Sequence, residues 1–172
     1  MTDTLFSLAF VLAAPTWALL IFAPGWRWTD RVAASVLPIV PIVLVYMALA
    51  LPAFPELWEA VRRPDLAAFQ GFTALDGGAA AIWAQVIAWD LFIGQWMYRE
   101  GRRLRIHPLL MGPVLLLSIL LSPIGVLLFL AIRALAQVHS DRQGCRPLPH
   151  LIRRPEPDPH APPPAEAHST GS

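Results

Sequence analysis

Four apolar stretches, each free or nearly free of charge, dominate this 172-residue sequence. Each is close to the ~20 residues that carry a helix across a bilayer. They run from about Thr4 to Phe22, Val32 to Leu51, Gly78 to Met97 and Pro108 to Ile132. A soluble domain of this length would break such runs sooner and hold more charge than the 15% found here. The first run has no arginine between Met1 and Thr4 and outlasts a secretory leader, so it reads as a retained helix. The expected fold is all-α, a four-transmembrane-helix bundle over residues 1–135. Residues 136–172 are rich in Pro, His and Arg and lack apolar periodicity, and are expected to form a disordered tail.

The charges say more by type and place than by number. Every basic side chain is arginine, a bias of GC-rich bacterial genomes, so a multi-pass protein of a bacterial inner membrane is expected. A net charge of +1 without a clustered basic face gives no reason to expect a nucleic-acid partner. Arg27 and Arg31 in the first loop, with Arg99, Arg102, Arg103 and Arg105 in the third, place those loops in the cytoplasm and both termini outside. Arg133, Arg142, Arg146, Arg153 and Arg154, which follow the last run, pull the other way. Pro38 and Pro41 should kink the second span. Between residues 52 and 76, Leu57, Trp58 and Val61 alternate with Glu56, Glu59, Arg62 and Arg63, a pattern for a short amphipathic helix on the membrane surface.

Chemistry has few places to reside. Cys145 is the single cysteine, so an intramolecular disulfide is impossible. No histidine pair has metal-ligand spacing, and there is neither a phosphate-cradling glycine loop nor a nucleophile elbow, so neither metal nor cofactor is expected. The ionisable residue well inside a span is Asp90. A carboxylate there costs about 2.5–3.5 kcal/mol on insertion and should face the bundle interior. It could act as general acid or base, or anchor a substrate hydroxyl. It could equally be structural, bonded to an indole or to opened backbone. At about 100° per residue, Trp83 and Gly94 share its side, and Gly94 lets a neighbour approach closely. Gln85 and Gln95 lie about 140° away on either hand. Trp89, Phe92 and Trp96 form a stripe that either lines a groove for a polyene or isoprenoid chain or packs against lipid and helix.

The run Trp83-Ala-Gln85-Val-Ile-Ala-Trp89-Asp90-Leu-Phe-Ile-Gly94-Gln-Trp96 resembles the pattern of a known family. So do Ser122-Pro123-Ile-Gly125-Val-Leu-Leu in the last run, and Pro15-x-Trp17 with Pro24, Trp26 and Trp28 near the start. It is the neoxanthin-synthase-like, or abscisic-acid-deficient-four-like, family, and the likeness covers about Leu5 to Arg133. The plant member is implicated in turning violaxanthin into neoxanthin, an epoxide-opening isomerisation that makes an allene. The resemblance therefore implies a carotenoid or isoprenoid substrate, Asp90 as catalytic acid/base, and Trp83, Gln85, Trp89, Gly94 and Trp96 around the substrate. Two positions depart from the pattern. Gln85 stands where the family has His, and an amide cannot shuttle protons as imidazole does. Ser122 replaces the glycine before Pro123. The alternative is a non-catalytic carotenoid- or lipid-binding protein, acting as a homo-oligomer or within a pigment-synthesis complex.

Overall fold

A computed structural model describes residues 1–144, with side chains to Val138. Eight α-helices and no strands occur among the described residues. In order they are α1 (Thr2–Phe22), α2 (Arg27–Ala34), α3 (Val40–Ala50), α4 (Phe54–Arg62), α5 (Leu66–Ala74), α6 (Asp76–Arg103), α7 (Pro108–Leu120) and α8 (Ser122–Gly144). The chain divides into two units, Met1–Gln137 and Val138–Ser172, and the first holds α1 to α7 with the greater part of α8. Helix α8 continues to Gly144, past residue 135 where the bundle was expected to end. The rest of the expected tail lies outside the described residues.

The all-helical expectation is met, but four uniform spans are not what the chain forms. Helices α1 and α6 are long and apolar enough to cross a membrane, and α3 with α4 makes a third crossing only if that pair, bent by 94°, is taken as one. Proline is the reason in both remaining runs. In the second, α2 stops at Ala34 and α3 starts at Val40. Pro38 lacks the N–H that a continuing helix needs and disfavours a helical Leu37. Pro41 sits in the first turn of α3, where a missing donor does no harm. In the last run the helix breaks at Leu121, with φ −143° and ψ 68°, and restarts at Ser122–Pro123.

Helix α6 is the axis on which the rest is assembled. Its inward faces carry Ala80, Ala81, Ala84, Ala88 and Gly94, small residues that let neighbouring backbones come close. Helix α1 runs parallel to it: Phe6 stacks on Trp83 with centroids 5.0 Å apart, Trp17 packs on Gly94, and the Pro24 carbonyl meets Tyr98. Helix α3 runs antiparallel, for Gln95 reaches back to residues before its start while Gly77 lies against the Leu49 carbonyl near its end. The amphipathic connector is two helices. Helix α4 has no buried residue and turns almost square to α3, and its Phe54 and Trp58 rings stack at 6.2 Å.

The last two helices fold back on each other. Helix α7 runs against α6, with Met111 packed on Gly101 and the Ser118 hydroxyl 3.6 Å from the Met97 sulfur. After Leu121 the chain reverses. A Cβ at Gly125 would lie 2.6 Å from the Ser118 Cα, an approach between positions seven apart that only a tight helical hairpin allows. Helix α8 then runs with α6: Phe129 meets Trp96 edge to face at 5.3 Å, and Arg133 Nε donates to Glu100 Oε1 at 3.0 Å.

Candidate functional site

The candidate residues all lie on α6, on two faces about 140° apart, and meet different neighbours along its length. Trp83 and Gly94 face α1. A Cβ at Gly94 would lie 2.6 Å from Cζ3 of Trp17, so the space that glycine leaves is filled by an indole. The Trp83 ring is stacked on Phe6, and its Nε1–H is buried without an acceptor among the described residues. Trp96 packs edge to face on Phe129 of α8. None of these three lines the cavity between α3 and α6.

Gln85 and Trp89 do. Together with Ala88 and Phe92 of α6 and Ile39, Val43 and Tyr46 on the α3 side, they line a cavity of about 450 Å³. That volume is in the range of ligand pockets, and its walls are overwhelmingly apolar, with Gln85 and Tyr46 as the polar side chains. Val43, Trp89 and Phe92 are each at least 40% exposed, so the cavity is a groove open along the flank of the bundle. Trp89 and Phe92 meet edge to face at 6.3 Å, which fixes two aromatic walls at a right angle. The aromatic stripe is thus split, its first two members lining the groove and Trp96 closing against α8.

Asp90 is on neither wall. It is half-buried, and the polar group beside its carboxyl is the hydroxyl of Ser122, at the tip of the α7–α8 hairpin. The offset of about 140° between positions 85 and 90 is therefore real in three dimensions, and it separates the amide of the groove from the carboxyl of the hairpin tip.

Two polar contacts went unassigned at the sequence level. Gln95 is buried and donates from Nε2 to the carbonyls of Val32 (3.2 Å) and Ser35 (3.3 Å), tying down the end of α2 just before the break. The kink expected at Pro38 and Pro41 signalled an interrupted backbone nearby, but nothing local names the donor that meets it. Tyr98 is the second. Its hydroxyl lies 2.7 Å from the Pro24 carbonyl and 2.8 Å from Asp30 Oδ1, so one proton serves two acceptors. Arg102 adds an ion pair to Asp30 at 3.7 Å. Among the described residues, no group of three or more His, Cys, Asp or Glu could hold a metal ion.

The family model described as ABA DEFICIENT 4-like matches residues 4–129, which include nearly all of α1, the whole of α2 to α7 and the hairpin tip. The chain belongs to the ABA DEFICIENT 4-like family. No curated protein and no solved structure matches it. Both the groove and the Asp90–Ser122 pair fall inside the segment shared with ABA DEFICIENT 4-like proteins, as does the Trp17–Gly94 contact.

Proposed function

We propose that this ABA DEFICIENT 4-like protein is a multi-pass protein of the cell membrane that holds a long apolar chain, a carotenoid or related isoprenoid, in the α3–α6 groove. The observation that carries this reading is the groove itself, whose aromatic walls Trp89 and Phe92 open sideways toward where lipid would be. A rod-like polyene can enter such a groove from the bilayer without passing through water. Gln85 and Tyr46 offer an amide and a phenol to a hydroxyl or epoxide on the ring. Gln85 occupies the position where the resembled pattern has His, which puts the polar end of the groove where that family's imidazole would be. Among the described lining residues there is no carboxylate or imidazole, which favours binding over proton transfer at this place.

The test is expression in a host making β-carotene, zeaxanthin and violaxanthin, followed by purification and chromatography of the pigment retained. Retention by the wild type, lost in Trp89→Ala and kept in Trp58→Ala, supports the groove. Equal retention by both variants, or none in the wild type, rejects it.

A second reading rests on Asp90 and the Ser122 hydroxyl beside it. In an epoxide-opening isomerisation the C–O bond breaks, its oxygen takes a proton and the polyene loses one, so a single carboxyl can serve both transfers. A new pigment in the same host, absent in Asp90→Asn, supports that isomerase reading. An unchanged pigment profile rejects it.

A further inference from the structure

The directions of the helices carry a conclusion that hydropathy could not. Contacts between α1 and α6 rise together along both chains, from Phe6–Trp83 through Trp17–Gly94 to Pro24–Tyr98. Contacts between α3 and α6 run in opposite senses. One end of the first unit therefore gathers the α1–α2 turn and the α6–α7 turn, and the Asp30–Arg102 pair at 3.7 Å joins the two. The other end gathers the start of α1, the α4–α5 connector and the start of α6, where Gly78 packs on Phe72.

Helix α7 leaves the first end and climbs α6 only to its middle. Ser122, at the tip, stands beside Asp90, midway along the Asp76–Arg103 helix. Helix α8 then descends in step with α6, through Phe129–Trp96 to Arg133–Glu100, back to the end from which α7 started. At 13 residues α7 is about 20 Å long, short of the ~30 Å of a bilayer's hydrocarbon.

We infer that α7 and α8 form a re-entrant hairpin that enters and leaves the membrane on one face, so that the chain crosses three times and the end of the first unit, Gln137, lies across the membrane from the N-terminus. Arg133 then no longer conflicts with the arginines of the first and third loops. The arginine-bearing face holds Arg27, Arg31, Arg133 and the four arginines between residues 99 and 105, while the opposite face holds Arg62 and Arg63 with Glu56, Glu59, Asp65 and Asp76. The arginine face is cytoplasmic by the bias of such residues toward the cytoplasm. The backbone at the break is satisfied locally, the Leu121 N–H donating to the Leu117 carbonyl and the Leu121 carbonyl accepting from the N–H groups of Ile124 and Gly125, as backbone at membrane depth requires.

The test is thiol labelling of the full chain carrying Cys145→Ser and one new cysteine at a time, with a membrane-impermeant maleimide on intact and permeabilised spheroplasts. The positions are Asp65→Cys, Arg105→Cys, Gln137→Cys and, as a second reporter of α8, Ala134→Cys. Labelling of Asp65→Cys in intact cells, with Arg105→Cys and the two α8 reporters labelled only after permeabilisation, is the expected result. Labelling of the α8 reporters on the side opposite Arg105→Cys would overturn the hairpin and restore a fourth crossing. Asp65→Cys and Arg105→Cys on the same side would overturn the three-crossing path as well.

Discussion

The Trp17 indole occupies the space that any side chain at Gly94 would need, a Cβ there falling 2.6 Å from its Cζ3. Overpacking of this kind costs about 1–3 kcal/mol. Gly94→Ala should therefore lower the midpoint of thermal unfolding in detergent. Shrinking the ring in Trp17→Leu should restore part of the loss in the double variant, an interaction that independent sites do not show.

Two other glycines should answer the same substitution with opposite signs. Gly125 lies against the Ser118 backbone, its added Cβ 2.6 Å from the Ser118 Cα, whereas Gly71 in α5 has nothing within 4 Å. Gly125→Ala should destabilise the hairpin. Gly71→Ala should gain about 0.5–1 kcal/mol by removing backbone freedom from the unfolded chain. Paired melting curves check both.

Gln95→Leu takes the amide donor away from Val32 and Ser35, whose carbonyls lie 3.2 and 3.3 Å from it. The Val32 carbonyl keeps its bond from the Ser35 N–H, so the part-buried Ser35 carbonyl is the acceptor left without this donor, at a cost of about 1 kcal/mol. Stability should fall by that order, and hydrogen exchange should quicken between residues 35 and 39 before it does elsewhere.

The Arg133–Glu100 pair is partly shielded, Glu100 having a side chain 12% exposed, and Arg103 sits 3.7 Å from its other oxygen. A double-mutant cycle with Arg133→Gln and Glu100→Gln should give a coupling on the order of 1 kcal/mol. Salt should weaken it only in part, because the shielded carboxylate is less accessible to counterions.

Much of this architecture was written in the residues, but direction was not. The apolar runs located the helices, and Pro38 and Pro41 marked where the second would break. The rotation of Asp90 away from Gln85 followed from helical geometry alone. An uncharged stretch with Pro113 and Pro123 inside it, however, looks the same whether it crosses or turns back. What decides is Gly125 meeting Ser118, a contact that exists only after the turn is made. The groove was half visible: Trp89 and Phe92 stood out as a stripe, while Ile39, Val43 and Tyr46 come from a helix whose register against α6 no local pattern sets. Tyr98, Pro24 and Asp30 are joined across more than sixty residues for the same reason.

The matched register of α6 and α8 also has a meaning for biosynthesis. Arg133 is made 33 residues after Glu100, and Ser122 follows Asp90 by a similar delay. Two carboxyl groups of α6 thus emerge from the ribosome before the side chains that will face them. Until α8 is made, Glu100 lacks its Arg133 partner, so the pairing of α6 with α8 is completed only by the last described segment.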